Sequence, residues 1–293
     1  MLRGVITIIL LLLNLLFWGI AVVLLGIAKF AVHMAAPRSR LRTRVILGLS
    51  RLAEHWVGGN DRIFDLMLPT RWEIQGPFDD IRIDAHYLII SNHVSWVDIF
   101  VIFRVFHRRT AFIRFFLKRQ LIWSPIVGQA CWALEFPFMR RYSAEYLQQH
   151  PEKRGRDLAT TRRACQRYRH IPVAMLTFLE GTRFSEEKRA DQESPFRHLL
   201  RPRVGAIAFV LASLGDQLDG IIDVTLAYPG GDVTMWDFVC GRVPTIAVRA
   251  RRIVAPPEFF TAEITEPGPA RDRFKIWIDS IWREKDALLC TFL

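Results

Sequence analysis

The chain has 293 residues, of which 51% are hydrophobic, and its formal net charge is +11. This length allows one large domain or two small ones, and the hydrophobic content is enough for a substantial core. Four scattered cysteines without a CxxC pair exclude a disulfide framework and a zinc site. The basic balance indicates an anionic partner, which is nucleic acid, an anionic membrane or a phosphorylated substrate.

Residues 5–28 form an apolar run that is long enough to cross a bilayer as a helix. No convincing cleavage site follows, so we interpret the run as a retained anchor rather than a signal peptide. Six cations follow within residues 29–51 and only Arg3 precedes, which places the bulk of the chain on the cytoplasmic side. The alternative is a hairpin, or a helix in one leaflet, with Asn14 and Gly19 near its bend.

We divide the chain into an anchor (1–35), a basic connecting helix or linker (36–70) and a domain (71–293). Strands alternate with helices in this domain, which predicts an α/β fold with a largely parallel sheet flanked by helices. The predicted strands are 72–76, 87–90, 110–116, 136–141, 171–178, 220–228 and 245–253. The predicted helices are 117–134 with an interruption at Pro125, 143–169, 204–214 and 274–289.

The predicted helix 117–134 mixes apolar, aromatic and cationic residues. Trp123 and Trp132 follow Lys118 and Arg119. This mixture is typical of a surface that dips into a membrane interface, and it suits a core helix equally well.

Residues 87–103, YLIISNHVSWVDIFVIF, predict a buried strand, a turn and the start of a helix. The turn carries His93, and Asp98 follows five residues later. In open α/β sheets ligands bind at the carboxyl ends of the strands, which is where this pair is predicted to lie. Residues five apart do not share a helical face, so we expect His93 just ahead of the helix and Asp98 about one turn inside it.

Asp98 is placed to accept the Nδ1–H of His93, which fixes the imidazole tautomer and leaves Nε2 to take a proton from a hydroxyl. No serine or cysteine nucleophile stands beside the pair in an elbow-type motif, so a hydroxyl of the substrate would itself attack. A capping aspartate and a hydrogen-bonded turn histidine are the alternative interpretation.

The tetrapeptide Glu180-Gly181-Thr182-Arg183 also follows an apolar strand directly. The glycine lets the backbone approach a ligand, the threonine adds a hydroxyl, and the arginine offers a planar fork that matches a phosphate. Arg140 ends another predicted strand and could converge on the same anion. Together these residues predict a phosphomonoester site, and the alternative is a tight turn with a solvated arginine.

With these residues in hand, the chain resembles the lysophospholipid (1-acylglycerol-3-phosphate) acyltransferase family. Asn92, His93 and Asp98 match its first motif, Asn-His-x4-Asp. Residues 178–183, FLEGTR, match the third motif, Phe-Pro-Glu-Gly-Thr-Arg, with Leu179 in place of the proline. Residues 136–140 match the second motif loosely, and residues 224–229 match the fourth, a late apolar strand closed by proline. Order and spacing agree across residues 85–230.

The resemblance implies a glycerophosphate acyltransferase-like fold and a reaction without a metal or a resident cofactor. His93, oriented by Asp98, would deprotonate the free hydroxyl of a lysophospholipid, which then attacks the thioester of acyl-CoA or acyl-carrier protein. The acceptor is expected to be 1-acyl-sn-glycerol 3-phosphate, and the product phosphatidic acid. The substrate-binding residues that the resemblance implies are Asn92, Arg140, Glu180, Gly181, Thr182 and Arg183.

The expected partners are therefore a lysophospholipid, an acyl thioester and the bilayer, with acyl-carrier protein as one candidate donor. Nucleic acid is not expected, because the cations are spread along the chain and no nucleic-acid-binding motif is present. The expected location is the cytoplasmic side of a bacterial inner membrane. A non-catalytic protein that binds anionic lipid, another lysophospholipid acceptor, and a thioesterase or hydrolase using the same histidine are the alternatives.

Overall fold

The structure, a computed structural model, describes residues 1–35, 40–139, 168 and 171–292. The described helices, in chain order, are α1 (Leu2–Ala35), α2 (Arg40–Met67), α3 (Val97–Phe106), α4 (Val127–Ala133), α5 (Glu186–Asp191), α6 (Gly205–Leu214), α7 (Met235–Val239) and α8 (Pro269–Leu289). The described strands are β1 (Arg71–Gln75), β2 (Tyr87–Ser91), β3 (Ile113–Phe115), β4 (Leu117–Lys118), β5 (Phe138–Met139), β6 (Ala174–Phe178), β7 (Gly220–Ala227) and β8 (Thr245–Ile253).

Six of these strands form one mixed sheet in the order β1-β8-β7-β2-β6-β3. β7, β2, β6 and β3 run parallel, which confirms the predicted α/β fold with a mostly parallel sheet. β8 runs antiparallel to β7, and β1 is parallel to β8. The chain between β7 and β8 contains only the short α7, so it turns back beside β7 instead of crossing the sheet through a long helix.

The central strand β2 is buried on both faces because it pairs with β6 on one side and β7 on the other. Its side chains alternate between two cores. Tyr87 and Ile89 pack in the core that contains α2 and α3, and Leu88 and Ile90 pack in the core that contains α6 and α8. This double burial explains why the strand is a continuous apolar run rather than an alternating one.

α1 is one unbroken helix of 34 residues, so the alternative of a hairpin bending near Asn14 and Gly19 is wrong. By length and composition it is a candidate membrane span, with a mean hydropathy of 2.9 over its most apolar 18 residues. The Asn14 side chain donates to the Trp56 carbonyl at 2.8 Å and to Asn60 Oδ1 at 3.0 Å, both in α2. The polar residue within the apolar run therefore joins the first two helices.

α2 is amphipathic, and one face of it is buried in the same core as β2 and α3. It packs mainly against α1 and against α3. The division of the chain at residues 35 and 70 stays a prediction.

Most of the predicted elements agree with the structure, and the main difference lies in residues 117–134. Instead of an interrupted helix, this segment contains β4, a 3₁₀ turn (Arg119–Trp123) and the short α4. Pro125 lacks an N–H and restricts Ser124, while Ile126 adopts a left-handed φ of 64°, so a helix cannot run through. The predicted helix 143–169 lies outside the described residues except for Tyr168.

Candidate active site

Three neighbouring parallel strands end at the same edge of the sheet and supply the candidate site. Asn92 and His93 follow β2, the tetrapeptide Glu180–Arg183 follows β6, and Tyr228 follows β7. The sheet order β7-β2-β6 brings these three chain ends together, although they are far apart in sequence. The site therefore lies at the carboxyl ends of the strands, as the sequence predicts.

His93 and Asp98 form the predicted hydrogen-bonded pair. His93 Nδ1 lies 2.8 Å from Asp98 Oδ2, and among the described residues nothing is hydrogen-bonded to Nε2. The imidazole ring stacks on Phe178 at a centroid distance of 4.1 Å, which fixes its plane. Because Asp98 Oδ2 accepts the Nδ1–H, this arrangement leaves Nε2 as the proton acceptor.

Asp98 is completely buried and also closes the turn before α3. Its Oδ2 accepts the backbone N–H groups of Val94 (2.6 Å) and Ser95 (2.9 Å), in addition to the imidazole. α3 begins at Val97, so Asp98 lies in its first turn and not about one turn inside it. Closing this turn and orienting His93 are thus combined in one carboxylate, whereas the N-terminus of α3 itself, at Trp96, has no side-chain cap among the described residues.

The second oxygen of Asp98 accepts the phenol of Tyr228, with 2.5 Å between Asp98 Oδ1 and the Tyr228 oxygen. Burial, followed by the neighbouring carboxylate, raises the pKa of Tyr228 well above its ordinary value, so the phenol remains a neutral donor. Tyr228 is a site residue that was not predicted from the sequence. Its position immediately before Pro229 at the end of a predicted apolar strand is the signal that could have found it.

Glu180 is buried and both of its oxygens are occupied by backbone donors. Oε1 accepts the His93 N–H at 2.7 Å and Oε2 accepts the Leu200 N–H at 2.9 Å. Burial raises the pKa of Glu180 to about 7, while the two hydrogen bonds act in the opposite direction. This geometry favours a positioning role for Glu180, and its predicted contact with substrate stays a prediction.

Asn92 is likewise used within the fold. Its Nδ2 donates to the Leu226 carbonyl and its Oδ1 accepts the Leu226 N–H, each at 2.9 Å. The side chain thereby continues the pairing between β2 and β7 by one step. This contact accounts for an asparagine at this position, and a contact with substrate stays a prediction.

Gly181 and Arg183 lie where a ligand could reach them. Gly181 has a φ of 69°, in the left-handed region that favours glycine, and the Arg203 side chain lies over it. Arg183 is exposed, and its guanidinium lies 4.8 Å from the centre of the Trp96 ring. Lys188 Nζ contacts Thr182 Oγ1 at 3.1 Å. Three cationic side chains thus surround this turn.

Of these three, Lys188 and Arg203 were not predicted from the sequence. Both lie in the segment after the turn, and only their positions in the fold bring them beside Gly181. Arg140, the remaining predicted phosphate ligand, lies outside the described residues.

The two loops that carry His93 and Arg183 are joined directly. The Phe184 N–H donates to the His93 carbonyl at 2.7 Å. Leu179 N–H donates to the Ser91 carbonyl at 3.2 Å, which extends the pairing of β2 and β6 by one bond. A proline at position 179 has no N–H for this bond, so the leucine strengthens the connection in this chain.

An apolar cavity of about 370 Å³ adjoins the site. It lies between α1, α2, α3 and the segment 117–136, and almost all the surface that lines it is apolar. Its walls include Trp96, Phe100, Phe103, Leu15 and Trp18. Trp96 is shared, because one side of it borders the cavity and its ring also contacts Arg183. An apolar chain in the cavity would therefore lie close to an anionic group at Arg183.

Comparison with known proteins gives a family and a fold. A sequence model of the family described as Acyltransferase matches residues 74–229. The chain is 24% identical over 229 residues to the mouse 1-acyl-sn-glycerol-3-phosphate acyltransferase epsilon, which covers 70% of this chain and 57% of that protein. It is 30% identical over 132 residues to the zebrafish lysocardiolipin acyltransferase 1, covering 41% of this chain and 32% of that one.

Among solved structures, the chain is similar to the 1-acyl-sn-glycerophosphate (LPA) acyltransferase PlsC from Thermotoga maritima. The TM-score is 0.53 at 17% identity, over 98% of this chain and 97% of that one. At this identity the likeness establishes the shared fold. The chain spans less than two thirds of the length of the two curated relatives.

Proposed function

The chain belongs to the Acyltransferase family, and on that premise we propose that it moves a fatty acyl chain from a thioester to the free hydroxyl of a lysophospholipid. The acceptor is 1-acyl-sn-glycerol 3-phosphate and the product is phosphatidic acid. One observation carries this proposal: the His93–Asp98 pair stands between a cationic turn and an apolar cavity. Such a site suits a reaction between two amphiphiles.

The chemical step follows from the Nε2 of His93, which has no hydrogen-bond partner in the part of the chain that the structure describes. Nε2 removes the proton from the acceptor hydroxyl. At the same time, the hydroxyl oxygen forms a bond to the carbonyl carbon of the thioester. The tetrahedral intermediate then collapses, the carbon–sulfur bond breaks, and the departing sulfur takes the proton from the imidazolium. Asp98 holds the tautomer and stabilises the transient positive charge, and a positioned base of this kind contributes about 10²–10⁴-fold to the rate.

The acceptor assignment rests on charge. Arg183, Lys188 and Arg203 surround the Gly181 turn, and this much positive charge favours a phosphomonoester dianion over a zwitterionic phosphodiester. Arginine also matches the flat geometry of two phosphate oxygens. The two curated relatives are named for different acceptors, so a panel of acceptors belongs in the first assay.

We assign α1 to one leaflet of the membrane and not to a full span. A Cβ at Gly26 would lie 2.5 Å from that of Ala133, and Gly4, near the start of α1, lies against Cys240. These contacts are about 33 Å apart along the helix, which exceeds the hydrocarbon core of about 30 Å. Because the rest of the chain contacts α1 over this whole length, α1 could cross the bilayer only if those contacting segments were also inside the hydrocarbon core.

The opposite face of α1 is apolar and exposed, so it is the face that enters the lipid. The cations that follow α1 favour a leaflet rich in anionic lipid, which is the cytoplasmic one. The bacterial inner membrane stays a prediction. The donor is acyl-CoA or acyl-carrier protein, and the basic surface suits the phosphates of the first and the acidic surface of the second.

The experiment that tests the function is acyl transfer by the purified protein in detergent. It uses radiolabelled acyl-CoA, or acyl-carrier protein loaded with the same chain, and a panel of lysophospholipids that includes lysophosphatidic acid. Label in phosphatidic acid in preference to other products supports the proposal. Label released as free fatty acid without an acceptor would favour a thioesterase, and binding without turnover of either donor would favour a non-catalytic lipid-binding protein.

A further inference from the structure

A short exposed segment beside α1 carries none of the polar residues of the site described above. It runs from Lys118 to Val127 and is called here the tryptophan turn. Its 3₁₀ turn exposes Leu121 and Trp123, and the Trp123 side chain is 83% exposed. Large apolar side chains that are exposed together mark a surface that contacts another phase or another molecule.

The fold holds this turn in a fixed position. Gly128 lies so close to the carbonyl oxygens of Leu121 and Ile122 that no side chain would fit there. Ile126 has a φ of 64°, which a β-branched residue adopts only under strain. Its Cγ2 atom lies 2.6 Å from where a Cβ of Gly19 in α1 would be. The exposure of Trp123 is therefore imposed by packing against α1.

The tryptophan turn is also continuous with the lipid-facing side of α1. Beyond the turn, the exposed ring of Trp132 lies 6.4 Å from the ring of Phe30 in α1, and both side chains are exposed. Lys29 Nζ lies 5.3 Å from the Trp132 ring and donates to the Ala133 carbonyl at 2.5 Å. α1 and α4 thus present one apolar surface, and the tryptophan turn packs against α4 directly before it in the chain.

Charge indicates what covers this surface. Lys118 and Arg119 are exposed directly before the apolar residues, and Trp123 follows them. Tryptophan and basic side chains that lie close together are typical of proteins at the boundary between lipid headgroups and acyl chains. A protein partner would need its own apolar patch with an acidic border, whereas an anionic bilayer already meets the neighbouring face of α1.

We propose that the tryptophan turn is a second membrane-inserting element, which enters the same leaflet as α1 through Leu121 and Trp123. Leu121 and Val127 also line the apolar cavity. An acyl chain can therefore pass from the bilayer into the cavity between α1 and the tryptophan turn without crossing water. This inference rests on the membrane association of α1 proposed above.

The test measures how deep single positions lie in the bilayer. Trp123→Cys is made in the full chain with its four native cysteines replaced by alanine, and is labelled with an environment-sensitive NBD dye. The vesicles contain phosphatidylcholine and a minor fraction of phosphatidylglycerol, with or without lipids that carry a nitroxide quencher on the acyl chain. We expect a blue shift, a rise in emission of about twofold and strong quenching by the nitroxide.

Two matched positions make the result decisive. Phe17 in α1 and Ile276 in α8 are both 67% exposed, and Phe17→Cys and Ile276→Cys report the proposed lipid face and a water-exposed face. Leu121→Cys repeats the measurement if the Trp123 variant does not fold. Quenching at 123 (or 121) and 17 but not at 276 supports the inference. Quenching at 17 alone overturns it, and no quenching at any position overturns the membrane association as well.

Discussion

The phenol of Tyr228 donates a hydrogen bond to Asp98 Oδ1, the oxygen that does not hold His93. The two residues are 130 positions apart, and both are buried. Asp98 therefore has a donor on every side: two backbone N–H groups, one imidazole and one phenol. A carboxylate held in this way cannot rotate away from His93.

Replacing Tyr228 by phenylalanine tests the importance of that contact. The loss of a hydrogen bond to a buried charged group costs about 1.5–3 kcal/mol, so we expect kcat to fall by about tenfold or more. Tyr228 is expected to act on the base and not on the ligands, so the KM for each substrate should stay within about twofold. Steady-state kinetics and thermal unfolding of both proteins provide the measurement. An unchanged kcat in a folded variant would show that Asp98 does not need the phenol.

Glu180→Gln separates a positioning role from a substrate-binding role. The glutamine amide offers one acceptor oxygen where the carboxylate offers two, so the N–H of His93 or of Leu200 loses its partner. We expect kcat to fall by about tenfold or more, while the KM for the lysophospholipid changes little. A large rise in that KM with kcat preserved would assign Glu180 to the acceptor instead.

Arg183→Gln tests the phosphate site. Removing the guanidinium should raise the KM for lysophosphatidic acid by about tenfold or more, because a charge-assisted contact is lost. The KM for lysophosphatidylcholine should change less, since its phosphate carries one negative charge and a neighbouring cation. Arg273→Gln, an exposed arginine in α8, is the charge-matched control. Equal effects of the two substitutions would contradict a specific phosphate contact.

Glu54 in α2 predicts a pH dependence of stability. Burial raises its pKa to about 7, while the Arg108 N–H acts in the opposite direction. Because this pKa is higher in the folded than in the unfolded chain, Glu54 contributes stability at low pH that is lost as the pH rises from about 4.5 through about 7. The Glu54→Gln variant carries no such charge.

The measurement is the thermal unfolding midpoint of both proteins in detergent at about pH 5 and about pH 8. As the pH rises over this range, we expect the free energy of unfolding of the variant to increase by about 2–3 kcal/mol relative to that of wild type. His107 Nε2, 3.6 Å from Glu54, and Asp61 also face this position, so His107→Gln serves as a control for the cluster. A constant difference between wild type and Glu54→Gln at both pH values would contradict the assignment.

The sequence predicts the parts of the site that depend on residues close together along the chain. Apolar runs followed by polar turns locate His93 and Gly181 at the ends of parallel strands, and the strands do meet at one edge. The spacing of five residues predicts the contact of His93 with Asp98, because a histidine before a helix can reach a carboxylate in its first turn.

The features that could not be predicted depend on contacts between distant segments. Tyr228 reaches Asp98 only because β7 lies next to β2, and that order is a property of the whole sheet. The hydrogen bonds between the Asn92 side chain and the Leu226 backbone likewise depend on β7 lying next to β2. The hydropathy of α1 is equally compatible with a span and with an in-plane helix, and our proposal of an in-plane helix rests on the contacts of Gly4 and Gly26 with the rest of the chain.

The central claim is that His93 activates the acceptor hydroxyl directly and that no acyl group is ever attached to the protein. The most direct test follows radiolabelled acyl-CoA with wild type and His93→Ala, with and without lysophosphatidic acid, and separates protein from lipid after a single turnover. We predict label in phosphatidic acid for wild type with the acceptor, none on the protein in any sample, and no product above background from folded His93→Ala. Label on the protein before the acceptor is added, or normal turnover by His93→Ala, would contradict the account.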